Sequence, residues 1–186
     1  VWPELNISYF NKPDPPYITS HPFKKIFNYI NTHKEVKTVI LSAKWDMLLY
    51  YRDQWAINNN TNLSIKEEII FLLKEINNNK KIILLNDVPS FDFDPITCLK
   101  ENRCTSKLDE YKKYKNNINQ VLESIANEFD NMYFIKSSEK FCNEQNDLCT
   151  MKIEGKSLYR DSNHLNFFGS KFIAKELQNE ISKIIN

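Results

Sequence analysis

The chain has 186 residues, 41% hydrophobic and 13% aromatic, which is one domain's worth and enough for a real core, so a disordered tail is excluded. Its 25 Lys and Arg against 24 Asp and Glu leave a net charge of +1, with no positive surplus to grip a phosphate backbone, and nucleic-acid binding drops out as a first reading. Gly155 and Gly169 are the only glycines, where average usage would give roughly 13, which removes G-x-G-x-x-G, the P-loop and the G-x-S-x-G nucleophile elbow.

Residues 1–20 carry Pro3, Pro13, Pro15 and Pro16 and read as an extended lead-in hugging the surface. A short helix over 22–32 is predicted next, then a buried β-branched strand over 36–41. Residues 45–55 read as helical, and Asn58, Asn59 and Asn60 as a polar break. Ser64 followed three residues later by Glu67 is a capping box, predicting a helix to about residue 76, ended by Asn77, Asn78 and Asn79. A strand over 81–85 follows, then a Pro-containing loop over 87–106. A long amphipathic helix is predicted over 108–129, with Lys112, Lys113 and Lys115 on its solvated face. Beyond it come a third core strand over 132–135, a cysteine-bearing loop, a hairpin around Glu154 and Gly155, and a closing helix over 167–185. Helices alternating with apolar strands predict an α/β sandwich with a mostly parallel sheet covered on both faces, and no repeat, linker or second domain. Such sheets carry their working residues at the carboxyl ends of the strands, after positions 41, 86, 135 and 160.

The longest apolar runs, over 69–73 and 82–85, fall far short of a bilayer span. The first residue is Val1, with no basic-then-apolar leader after it, so the chain reads as a processed, trimmed or fragmentary product. The four cysteines form two local pairs, Cys98 with Cys104 and Cys142 with Cys149. Zinc sites use tighter spacings, often with histidines nearby, and His21, His33 and His164 do not cluster with them. Two short-loop disulfides are the preferred reading, implying a periplasmic or external space, with free buried thiols and a metal site as alternatives and three connectivities open.

The sharpest chemical candidate is Asp161-Ser162-Asn163-His164. An Asp three residues before a His can accept from the imidazole Nδ1 and leave Nε2 free, which is the orienting half of a Ser-His-Asp triad. The competing reading is plain capping: Asp161, Ser162, Asn163 and Asn166 are all good N-cap residues ahead of a helix. The tetrad follows a β-like run over 156–159 and precedes the last helix of an α/β chain, where catalytic loops belong. His21 and His33 read as surface or capping residues, and Asp92 with Asp94 as a solvated loop rather than a cation site.

The stretch from Leu158 through Asp161 and His164 to Gly169 and Ser170 resembles the last block of the SGNH (GDSL-like) hydrolase superfamily, whose D-x-x-H completes the triad. Val39-Ile40-Leu41-Ser42-Ala43-Lys44-Trp45 resembles the strand and Ala-Arg-Trp segment of the SGNH domains fused to membrane acyltransferase-3 domains. Residues 80–89, then Phe93-Asp94-Pro95 with Cys98-Leu99, and then 141–159, continue the resemblance in order over roughly 36–185. It implies a three-layer α/β/α, flavodoxin-like sandwich lacking its first strand, a single SGNH-like domain over 1–186 that is the carboxyl-terminal part. It also implies His164 as general base then acid, with Asp161 as its charge partner. The superfamily's nucleophile sits in a Gly-Asp-Ser block, and no glycine precedes Gly155. The serine is therefore expected upstream of Val1, with Ser42 as a weak in-chain contender. Lys44 stands where the acyltransferase-linked subfamily has Arg, and a point charge replaces a planar fork there. Trp45 is expected either to shape the acyl or sugar pocket or to pack.

The function implied is acyl transfer, an acetyl group above all, to hydroxyls of a bacterial surface or exported glycan such as lipopolysaccharide. No metal or cofactor is expected in this domain; acetyl-CoA would be the donor to a membrane acyltransferase-3 domain in the same parent polypeptide. The implied place is the periplasmic face of the inner membrane, with secretion as the alternative. The other readings are a stand-alone carbohydrate or lipid esterase of the SGNH type and a catalytically silent glycan-binding domain.

Overall fold

The computed structural model describes residues 21–45 and 64–186. Helix α1 (His21–Thr32) leads into strand β1 (Thr38–Ser42), and helix α2 (Ile65–Lys74) into strand β2 (Lys81–Leu85). Helix α3 (Pro95–Glu101), strand β3 (Thr105–Lys107), helix α4 (Leu108–Glu128) and strand β4 (Met132–Ile135) follow. After a 3-10 turn (Ser137–Lys140) come β5 (Cys142–Asn143), β6 (Leu148–Thr150), β7 (Lys152–Ile153), β8 (Lys156–Ser157) and the closing helix α5 (Phe167–Ile185).

Strands β1, β2 and β4 form a parallel sheet in that order, with Ser42 level with Leu85 and Leu85 level with Ile135 at the carboxyl ends. Strand β2 is central and nearly all aliphatic, and its Ile82, Ile83 and Leu84 are fully buried. Alternation sends Ile82 and Leu84 into a core with Phe27, Ile69, Leu73, Ile118, Leu122 and Ile125 from α1, α2 and α4. Ile83 points the other way, onto Leu177 of α5. Each such side chain contributes roughly 1.5–3 kcal/mol of burial, so this double-sided strand is the main source of the layered arrangement. Two crossovers stepping the same way along a sheet put their helices on one face, which is where α2 and α4 lie. The helices on one face, the parallel sheet and α5 on the other make the expected α/β/α sandwich. On β1, Ile40 faces the α5 side at 47% exposure, and among the described residues no strand pairs with the outer edge of β1.

The capping box at Ser64 and Glu67 forms as the sequence predicts: Ser64 Oγ accepts from the Glu67 amide, and Glu67 accepts from the Ser64 amide. The hairpin at Glu154 and Gly155 joins β7 to β8 with both residues at positive φ, the conformation a two-residue turn requires and glycine adopts without strain. The expectations for 1–20, for the helix beyond Trp45 and for the break at 58–60 lie outside the described residues.

Three expectations need correcting. The stretch over 87–106 is not all loop: Asp94 caps α3, with Pro95 in its first turn, and Cys98 lies on that helix, bridged to Cys104 just before β3. The second pair is not in a loop either, since Cys142 on β5 faces Cys149 on β6 across an antiparallel ladder and is bonded to it. Lys115 is not on a solvated face. It is 3% exposed and its ammonium lies 2.6 Å from the Asp87 carboxylate. An amphipathic pattern marks a face without naming a partner 28 residues away, and a buried lysine persists only where it is paired.

A second core builds the platform beside the carboxyl ends of the sheet. Phe91, Phe93, Cys98, Leu108, Phe141, Cys149, Met151, Leu158 and Tyr159 pack together there, under the small sheet β3-β6-β5. None of the helices among the described residues is long and apolar enough to cross a membrane.

Candidate active site

The segment from Asp161 to His164 leaves this platform between two fixed points. Leu158 and Tyr159 on the near side are buried at 0% and 1% exposure, and Tyr159 forms a β-bridge to Leu165 on the far side. The Arg160 amide donates to the His164 carbonyl at 2.8 Å and closes the loop at its neck. Asn166 secures the exit. Its Nδ2 donates to the carbonyls of Ser157 and Tyr159 at 2.8 and 3.1 Å, while its Oδ1 accepts from the Gly169 amide and caps α5. Gly169 is buried where α5 meets the Leu158 carbonyl so closely that a Cβ would lie 2.0 Å from that oxygen. From the sheet side, the Phe91 amide donates to the Ser162 carbonyl at 2.9 Å.

Within this frame the Asp161 carboxylate accepts from the amides of Asn163 and His164 at 3.0 and 2.7 Å. It also meets His164 Nδ1, at 3.0 Å from Oδ1 and 2.9 Å from Oδ2. Partial desolvation works to raise the carboxyl pKa, but the two amides and the imidazole outweigh it and hold Asp161 at about 2 against an ordinary 3.8. The carboxylate is thus charged across the physiological range and oriented before any partner arrives. A charged acceptor at Nδ1 fixes the proton there and leaves the Nε2 lone pair outward. The His164 side chain is 61% exposed, and among the described residues neither ring nitrogen bonds to a serine hydroxyl. An imidazole held this way can take a proton from a hydroxyl at Nε2 and return it to a leaving group.

Capping of α5 falls to Asn166, and the Asp161 carboxylate turns instead onto its own loop and the imidazole. The remaining sequence candidates lie as follows. Ser42 is exposed at the last position of β1, on the carboxyl edge of the sheet. Lys44 is half-buried just beyond it. Trp45 is 3% exposed within the main core and its indole N–H donates to the Leu85 carbonyl at 2.7 Å, which ties the end of β1 to the end of β2. Asp92 pairs with Arg103 at 2.8 Å, and Asp94 caps α3, its carboxyl held below the ordinary value chiefly by the Thr97 amide. His33 stacks on Tyr29 and its Nδ1 meets the Tyr29 carbonyl at 2.9 Å, at the end of α1. Among the described residues no group of three or more His, Cys, Asp or Glu side chains is placed to hold a metal ion.

Sequence reasoning passed over Gly169 as an anchor and gave Asn86, though at a marked strand end, no role. A glycine inside a predicted helix, in a chain with so few, was the signal for the first. Asn86 is 2% exposed at the end of β2, and its Oδ1 accepts from the Ser138 amide at 3.0 Å. Tyr159, just ahead of the loop, is wedged edge-on against Phe91 and Phe141 at 5.1 and 5.9 Å. Burial pushes its phenol well above the ordinary pKa, so it stays neutral.

Comparison with known proteins adds the following. Residues 4–179 match the family described as "SGNH domain (fused to AT3 domains)". No curated protein matches the chain. Among solved structures, the chain is similar to the periplasmic domain of the lipopolysaccharide acetyltransferase of Salmonella ser. Paratyphi A, with a TM-score of 0.54 and 17% identity. The similarity covers 86% of this chain and 62% of that one, so this chain spans less than two thirds of that domain's length. At that identity the likeness bears on the fold.

Proposed function

The chain belongs to the SGNH-domain family whose members are fused to AT3 domains, and we propose that it serves O-acyl transfer to the hydroxyls of a bacterial surface glycan. The observation that carries the proposal is the Asp161 carboxylate on His164 Nδ1, with Nε2 turned outward. In the proposed cycle, Nε2 removes the proton from a serine hydroxyl as the serine oxygen attacks the donor's acyl carbon. The tetrahedral intermediate collapses, the donor's leaving group takes that proton from His164, and an acyl-serine remains. A sugar hydroxyl then gives its proton to Nε2, attacks the acyl-serine, and the serine recovers its proton. Asp161 stays ionised throughout and stabilises the imidazolium. The serine is supplied from outside the described residues, with Ser42 the weaker choice. The openness of the imidazole suits an acceptor on a bulky polymer. Lys44, at the end of β1, is assigned to the acceptor side of the site, whereas Trp45, buried in the main core with its indole N–H on the Leu85 carbonyl, packs rather than shaping the pocket.

The acyl group is proposed to be acetyl, derived from acetyl-CoA by an acyltransferase-3 partner in the membrane, with this domain at the periplasmic face. The two disulfides suit that oxidising compartment, and the structural neighbour is itself the periplasmic domain of a lipopolysaccharide acetyltransferase. The test is the O-acetyl content of surface glycan in cells carrying the His164→Ala gene against wild type. The proposal expects it to fall to the level of a gene deletion; unchanged acetylation with normal protein abundance would remove His164 from the chemistry.

A further inference from the structure

The polar cluster at the carboxyl end of β2 lies outside the proposed chemistry, yet it is built from buried groups and runs directly to the loop that carries His164. Lys115 and Asp87 form their pair with side chains only 4% and 11% exposed. The Tyr111 hydroxyl, one turn before Lys115 on α4, donates to the Asp87 carbonyl at 3.1 Å. Asn86 Nδ2 donates to the Ser138 hydroxyl at 2.8 Å, and the Ser137 hydroxyl donates to the Asn86 carbonyl at 2.7 Å. Helix α4 and the turn after β4 thus grip residues 86 and 87 from two sides. Four residues on, the same segment touches the site: the Phe91 amide holds the Ser162 carbonyl, and the Phe91 ring packs against Tyr159.

Burying two charges is costly, and an apolar pair of like volume often serves stability as well or better. In some folds such a pair instead fixes one geometry. We propose that Asp87 and Lys115, with Asn86, form a clasp that positions the Asp161–His164 loop through the segment 86–91. The inference rests on the proposed function for its catalytic consequence, but not for its structural content. Loss of the pin lets Phe91 shift, Ser162 lose its donor, and Nε2 move off the line to its proton partner. Displacements near 1 Å at a reacting group slow reactions by up to about 100-fold.

The test uses the natural gene product with Asp87→Asn and Lys115→Met, each removing one charge of the buried pair. Ile125→Val serves as the control, a trim in the α4 core away from the clasp. Two readouts are taken on folded protein: the rate of labelling by a fluorophosphonate serine probe, and the His164 ring proton signals by NMR. Labelling per folded molecule is expected to slow 10- to 100-fold in both clasp variants, with the His164 signals displaced, while Ile125→Val changes neither. Where a charge variant does not fold, Ser138→Ala loosens the milder end of the network and is expected to displace the same signals to a smaller extent. Wild-type rates and unmoved His164 signals in the folded clasp variants, or equal losses in Ile125→Val, would overturn the clasp. A wild-type protein that takes no label would instead overturn the functional reading, and the His164 signals would still decide the positioning role.

Discussion

Replacing Gly169 with alanine isolates the close approach on which the site loop depends. Alanine is favoured over glycine inside a helix by about 1 kcal/mol, and Gly169 has no positive φ, so propensity alone expects Gly169→Ala to stabilise the protein. Packing says the opposite. The added Cβ would lie 2.0 Å from the Leu158 carbonyl oxygen, 2.8 Å from its carbon and 3.1 Å from its Cα. All three are backbone atoms, so no side-chain rotation relieves the contact. Restoring even the tightest tolerable separation needs α5 and the strand segment at Leu158 to part by about 1 Å. That movement strains the Asn166 amide bond to the same carbonyl, 3.0 Å long, and the cap between Asn166 and Gly169. Overpacking costs about 1–3 kcal/mol; with only backbone to give way this contact belongs at the upper end, about 2–3, and less the helical gain of about 1 the net loss is about 1–2 kcal/mol. In a domain of this size that is a fall of roughly 2–8 °C in melting temperature. Because Leu158 and Asn166 bracket the Asp161–His164 loop, labelling by a serine probe should fall by about 10- to 100-fold in the folded fraction. Thermal unfolding followed by circular dichroism, with labelling measured below the transition, reads both effects. A raised melting temperature with undiminished labelling would refute the argument.

The remaining predictions concern charge and covalent links. Asp161 has its folded pKa lowered to about 2 from 3.8, so its ionised form favours the native state above roughly pH 4, and that contribution is lost as pH falls through about 2. With the side chain 42% exposed, screening keeps this below about 1 kcal/mol. A carbon-detected NMR titration should place the Asp161 midpoint near 2, and a midpoint at or above 4 would deny the contacts drawn from the Asn163 and His164 amides. The two disulfides close loops with separations of 6 and 7 residues, each worth about 2 kcal/mol by loop entropy. Reduction should therefore lower the urea midpoint markedly, and an unchanged midpoint after verified reduction would contradict a structural role for both.

How far the sequence could be read depended on whether a signal was local. The closing helix, the strand over 81–85 and the box at Ser64 and Glu67 are each specified within a few residues, and each forms where the pattern predicts. The Asp161–His164 pair was legible for the same reason, since three residues of spacing and one loop suffice to make it. Helix α3 was missed although Asp94 and Pro95 announce its start, because seven residues are too few to display a helical period. Lys115 was misplaced because its partner Asp87 is distant in sequence, and only the docking of α4 against the end of β2 brings the two together. That Asp161 does not cap α5 likewise needed coordinates, since Asp161 and Asn166 are equally good caps on paper.

The central claim is that His164, held by Asp161, activates a serine. Its most direct test is fluorophosphonate labelling of the natural gene product, wild type against His164→Ala. The account predicts covalent labelling of one serine in the wild type and its loss, by at least about 1000-fold in rate, in the variant. Labelling that persists in His164→Ala, or a folded wild-type protein that takes no label, would contradict it.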